Sequence, residues 1–155
     1  DTHKEFTDIT ESWLVEELYP YHKLIKEDKA YGIMTSHVVN NRIDDRKLPA
    51  TLSDKIINEL LRDFLDYDGV VFSDDMQMGA ITKYFGLDEA LIFSINAGVD
   101  VLIFSNNQLY KDMVTPDQVI SSIEESVRRG DISLLRIEES FRRIQKLKKK
   151  INLIN

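Results

Sequence analysis

The chain has 155 residues, 43% of them hydrophobic and 30% charged, which is enough for one core and one domain. Its net charge of −7 makes a nucleic-acid backbone an unsuitable partner, and the lack of cysteine excludes disulfides and thiolate metal sites. No apolar run approaches the roughly 20 residues of a membrane span, so no membrane partner is expected. The opening residues do not read as a leader, and the abrupt start at Asp1 leads us to expect further sequence upstream.

In chain order, the first residues able to carry chemistry are Asp1 and His3. A carboxylate two residues from an imidazole can hold one tautomer and raise its basicity, as an acid/base catalyst near neutral pH requires. At a chain end such a pair is more often a frayed terminus, and residues 1 to about 10 are expected to be poorly tied down. Segment 12–27 is expected to be helical, started or kinked by Pro20, with His22 on its surface. The runs 31–39, 69–73 and 99–105 are apolar without polar alternation. Strands of a parallel sheet buried on both faces read this way.

His37 ends the first run at its rim, although a lone histidine is usually satisfied structurally. Loop 40–50 is polar and long enough to be functional. Ser53 then suits the N-cap of a helix to Leu65, with Ile56, Ile57, Leu60, Leu61, Phe64 and Leu65 at helical spacing. Asp74 and Asp75 follow the second run. A carboxylate there can attack or stabilise a cationic centre at the rim of a site; Ser73, Asp74 or Asp75 can equally cap the short helix that follows. Met76 and Met78 suit core filling as well as ligand contact.

A helix over 87–97 is closed by Gly98 in a left-handed conformation. Thr115-Pro-Asp-Gln118 reads as a capping box with Pro at the first helical position, opening a helix that Gly130 stops. Ser133 caps the last helix, with Leu134, Ile137, Phe141, Ile144 and Leu147 expected inward. Lys146, Lys148, Lys149 and Lys150 suit its solvated C-terminus.

A β-α-β-α-β-α order requires right-handed crossovers and a parallel sheet. An open doubly wound sheet and a (β/α)₈ barrel both fit, and both place ligands at the C-terminal ends of the strands. The expected rim residues are therefore His37, Asp74 with Asp75, and Ser105 with Asn106 and Asn107. No Gly-rich phosphate loop is present, three scattered histidines do not make a zinc site, and an Asp-Asp pair is only part of a Mg²⁺ site. No metal or other cofactor is expected.

Gly69-Val-Val-Phe-Ser-Asp-Asp-Met-Gln-Met-Gly-Ala80 resembles the nucleophile segment of family-three glycoside hydrolases, in particular their bacterial β-N-acetylglucosaminidase branch. Met34-Thr-Ser-His-Val38, Leu48-Pro-Ala-Thr-Leu-Ser53 and Ala97-Gly-Val-Asp-Val-Leu102 fit the same branch in the same order, and Asp1-Thr-His3 is similar to the Asp-x-His end of its catalytic loop. The resemblance implies that residues 1–155 are the C-terminal part of an α/β TIM barrel, about three of its eight βα units. It implies Asp74 as nucleophile, His3 as acid/base and Asp1 as the group orienting His3, with Met78 and His37 near the sugar.

It further implies a retaining hydrolase of β-linked N-acetylglucosamine, in the cytoplasmic form associated with peptidoglycan recycling. A β-glucosidase, a phosphorylase or a non-catalytic half-barrel are the alternatives. The family's sugar-gripping Lys-His and Arg residues have no counterpart here. The isolated chain is therefore expected to be inactive or nearly so. Open strand edges lead us to expect pairing with an N-terminal half-barrel, or self-association.

Overall fold

The computed structural model describes residues 6–107 and 113–154; Asp1 and His3 lie outside them. The architecture is α/β with parallel strands. Strand β1 (Thr7–Asp8) leads through a 3₁₀ turn into helix α1 (Tyr19–Lys26), which Pro20 opens as expected, and His22 is exposed. Strands β2 (Gly32–Met34) and β3 (Val38–Val39) follow, then a 3₁₀ turn at Ala50–Leu52 and a π-helix at Lys55–Phe64. Next come β4 (Val70–Asp75), the short α2 (Gly79–Thr82), α3 (Leu87–Ala97), β5 (Val101–Ile103), α4 (Pro116–Arg129) and α5 (Leu134–Lys150). The main sheet has the order β2-β4-β5, all parallel, and β1 pairs with β3 in a second, two-stranded parallel sheet.

Local signals act where they were read. Gly98 closes α3 at φ 117°, and a Cβ there would stand 2.7 Å from Asn58 Oδ1, so the position tolerates only glycine without strain. Thr115 Oγ1 accepts the Gln118 N–H, and the Gln118 side chain accepts the Thr115 N–H at 2.8 Å, completing the capping box. Ser133 Oγ caps α5 through the Arg136 N–H.

Three expectations are corrected. Run 31–39 is not one strand: β2 pairs with β4, whereas β3 pairs with β1, because the chain turns at Thr35–His37, where side chains reach Thr51 and the end of β4. Residues 7–10 are tied down: Thr7 and Asp8 pair with Val38 and Val39, the Ile9 N–H reaches the Val39 carbonyl, and Thr10 Oγ1 accepts the Asn41 N–H. In α5, Ile137, Ile144 and Leu147 are half-buried as expected, but Leu134 and Phe141 are exposed, and Arg136, Ser140 and Arg143 also turn inward, drawn to the buried carboxylate of Asp100.

One core joins Ile57, Leu61 and Leu65 with Tyr67, Val71, Ala97 and Val99. Its first three residues recur every four positions, the row that a π-helix presents, and Phe64 falls off that row to 73% exposure. A second core under the C-terminal strand ends joins Leu52, Met76, Ile81 and Ala90.

Candidate active site

The C-terminal ends of β2, β4 and β5 bring together Thr35, His37, Asp74, Asp75 and Ser105. The two adjacent carboxylates are used differently. Asp75 Oδ1 accepts the Gln77 N–H at 3.1 Å and the Ser105 N–H at 3.1 Å, while Oδ2 accepts the Ser105 hydroxyl at 2.5 Å. This carboxylate fixes the turn into α2 and staples the end of β4 to the end of β5. The capping role considered for the pair thus falls to Asp75. Half-buried Asp74 accepts only the Asp75 N–H, at 2.8 Å on Oδ1; among the described residues its other oxygen accepts no hydrogen bond.

His37 is fully buried beneath this pair. Its Nε2 lies 2.9 Å from the Asp75 carbonyl, which can only accept, so Nε2 carries the proton. Nδ1 then accepts from the Thr51 hydroxyl at 2.8 Å, and Thr51 Oγ1 is 2.8 Å from Thr35 Oγ1. Burial pushes the imidazole below its ordinary value of 6.5, against the opposing pull of the Asp75 carbonyl and the carboxylates of Asp74 and Asp75. His37 is therefore neutral, and here it holds main chain rather than facing solvent. Met78 is also buried, at the N-cap of α2.

The structure brings His37 and the Asp pair together, and the Met78 N–H reaches the Asp75 carbonyl at 3.1 Å. Ser73, Thr51 and Gln77 were not singled out as site residues, yet each has a partner there. Ser73 Oγ accepts the Ile103 N–H, and Gln77 Oε1 accepts the Asn106 N–H at 2.7 Å. The position of Ser73 inside the Ser-Asp-Asp string was the available signal. Thr51 gave none, because its contact with His37 closes only in three dimensions. Chemically, the arrangement presents one carboxylate oxygen at a strand end, on a frame whose other polar groups are already paired. Among the described residues no cluster of His, Asp and Glu could hold a metal ion, and no helix is long and apolar enough to cross a membrane.

Comparison with known proteins places this geometry. A model described as Glycosyl hydrolase family 3 N terminal domain matches residues 1–147. Beta-hexosaminidase A of Pseudoalteromonas piscicida is 29% identical over 149 residues, 88% of this chain and 25% of that protein. A beta-hexosaminidase of Tolumonas auensis is 33% identical over 111 residues, 70% of this chain and 33% of that protein. The solved structure of a glycoside hydrolase family 3 beta-N-acetylglucosaminidase from Paenibacillus sp. str. FPU-7 aligns with a TM-score of 0.83 at 32% identity, covering 96% of this chain and 28% of that one. The chain thus spans about a quarter to a third of the relatives it matches.

Proposed function

This chain belongs to glycosyl hydrolase family 3, and on that premise we propose that it carries the nucleophile and the acid/base of a retaining glycosidase acting on terminal β-linked N-acetylglucosamine. The observation that carries the reading is the unequal use of the two carboxylates. Asp75 is spent on Gln77 and Ser105, whereas Asp74, among the described residues, keeps an oxygen open at the C-terminal end of a barrel strand. The beta-hexosaminidase names of the relatives and the beta-N-acetylglucosaminidase structure support the choice of sugar.

In the proposed mechanism an Asp74 carboxylate oxygen attacks the anomeric carbon and forms a glycosyl ester. The bond to the leaving oxygen breaks as His3, in its imidazolium form, protonates that oxygen. Neutral His3 then takes a proton from water, whose oxygen displaces Asp74 from the anomeric carbon and releases the sugar with retained configuration. Asp1 holds the His3 tautomer and stabilises its charged form. With His in place of a second carboxylate, the separation rule for paired carboxylates does not apply.

The natural role we propose is muropeptide turnover in peptidoglycan recycling, in the cytoplasm. The 155 residues alone are proposed to be inactive and to need either an N-terminal half-barrel or another copy along β2 and β5, the outer strands of the main sheet.

The test is a fluorinated glycosyl donor that accumulates the glycosyl-enzyme, followed by peptide mapping of the full-length protein. Label on Asp74 is expected; label on Asp75, or on neither, overturns the assignment. Running the same protein on an aryl N-acetylglucosaminide with added phosphate separates hydrolysis from phosphorolysis, since only the latter yields a sugar phosphate.

A further inference from the structure

Strands β4 and β5 do not pair evenly. Phe72 faces Val101 and Asp75 faces Ile103, so three steps along β4 oppose two along β5. The extra residue makes Ser73–Asp74 a β-bulge, a device that breaks the ladder and re-aims a side chain. A bulge leaves ladder groups without main-chain partners, and the Ile103 N–H is such a group. Ser73, fully buried, supplies the missing acceptor: its Oγ takes the Ile103 N–H at 2.9 Å. Beyond the bulge the Met76 N–H returns to the Ile103 carbonyl at 2.9 Å, and Asp75 Oδ1 takes the Ser105 N–H. Asp74 is thus bracketed by side chains on either side, one stitched to the main chain at the end of β5 and the other two residues beyond it.

We infer that Ser73 is the positioning residue that sets the direction of Asp74, by replacing a main-chain acceptor inside the bulge; this rests on the reading of Asp74 as nucleophile. The residue type follows from the geometry. The acceptor must sit one carbon from the backbone to reach a neighbouring strand's N–H, which serine and threonine provide and alanine does not. Without it the part-buried Ile103 N–H loses its acceptor, and the bulge shifts to recover a partner. The carboxylate would then leave its line to the anomeric carbon while the groups that bind the sugar stay in place.

The experiment compares Ser73→Ala and Ser73→Thr in the full-length protein, measuring kcat and KM on an aryl N-acetylglucosaminide and amide hydrogen exchange at Ile103 and Ser105. For Ser73→Ala the expectation is a kcat loss of about 10- to 100-fold with KM within about twofold, since misplaced reacting groups cost rate rather than binding. The Ile103 amide should exchange faster than in the parent, and Ser73→Thr should restore both readouts. Parent-like kcat in Ser73→Ala, or undisturbed Ile103 exchange alongside a kcat loss, overturns the inference. If threonine does not fold in this buried place, the Ile103 exchange and the split between kcat and KM in Ser73→Ala decide alone. Labelling of a residue other than Asp74 would defeat the nucleophile reading separately, leaving the exchange measurement to judge the bulge.

Discussion

The two ends of the sheet spend their carboxylates in opposite ways. At the N-terminal ends of the strands, the Asp100 carboxylate is fully buried and saturated. It takes Arg62 at 2.8 Å, Arg136 at 3.1 Å, Arg143 at 3.5 Å, the Ser140 hydroxyl at 2.8 Å and the Val71 N–H at 3.0 Å. Arg62 extends the clasp to the carbonyls of Tyr67, Gly69 and Gly98, and Arg136 to those of Ile95 and Val99. At the C-terminal ends, both Asp75 oxygens are engaged, but Asp74 beside it keeps an oxygen open among the described residues. One end is closed by charge, and at the other one carboxylate oxygen accepts no hydrogen bond among the described residues. In a barrel of this kind, residues at the bottom hold the fold and those at the top do chemistry.

Separating the two functions by mutation is the strongest challenge to that contrast. Asp74→Ala in the full-length protein should lower kcat/KM by at least about 10³-fold, as loss of a nucleophile does. Stability should stay within about 1 kcal/mol, because the side chain is half-buried with one local hydrogen bond. Aryl-glycoside kinetics alongside a denaturant melt would check both; a variant that unfolds makes Asp74 structural and removes the contrast.

Asp100→Ala should do the reverse. It strands Arg62 and Arg136, whose side chains are only 10% and 11% exposed, so about 3–5 kcal/mol of stability should be lost. Urea unfolding midpoints would measure this. A loss under about 1 kcal/mol would mean that the arginines find other acceptors among the carbonyls they already touch.

A smaller effect comes from Asp44, which organises the loop between β3 and the π-helix. Its buried carboxylate accepts Arg46 Nε and Nη2 and the Ser53 hydroxyl, and Arg46 bonds Asp54 as well. The Arg46 guanidinium holds the Asp44 carboxyl down to about 2 from 3.8. The folded pKa is depressed, so the stability it contributes is present above 3.8 and is lost as pH falls through about 2. Asp44→Asn should cost on the order of 1–2 kcal/mol at neutral pH, discounted for the half-exposed arginine. The gap between variant and parent should close in melts run toward pH 2, and a gap independent of pH would point to lost packing instead.

The elements legible in the sequence are those fixed by neighbours in the chain. Thr115 with Gln118, Gly98 and Gly130 act within a few residues of themselves, so their spacing announced them. The inward face of α5 was misread in part, because Arg136 and Arg143 are recruited by Asp100, 36 and 43 positions away, beside the apolar residues Ile137, Ile144 and Leu147. The break in run 31–39 has the same origin, since Thr51 and the end of β4 pull Thr35 and His37 out of register. The Asp pair at the strand end was readable from order alone. The division of labour within it was not, because Ser105 and Gln77 reach Asp75 only after folding.

The subtlest way to sharpen the comparison uses His37, the neutral group beneath the open end. Its Nε2–H is committed to the Asp75 carbonyl and its Nδ1 to Thr51, and burial holds its pKa below the ordinary 6.5. The folded state therefore binds its proton less readily than the unfolded chain, so stability falls as pH drops below 6.5 and levels off only below the depressed folded value. This is the opposite of a histidine stabilised by an ion pair, which would gain stability on acidification. A series of melts between pH 7.5 and about 5 should slope downward in the parent, and more shallowly in His37→Gln, which keeps a donor for the Asp75 carbonyl but carries no titratable ring. Since the ring also fixes the main chain of Asp75, one residue from the proposed nucleophile, kcat in His37→Gln should fall more than KM changes. Equal slopes in parent and variant would show that His37 titrates alike in the folded and unfolded states.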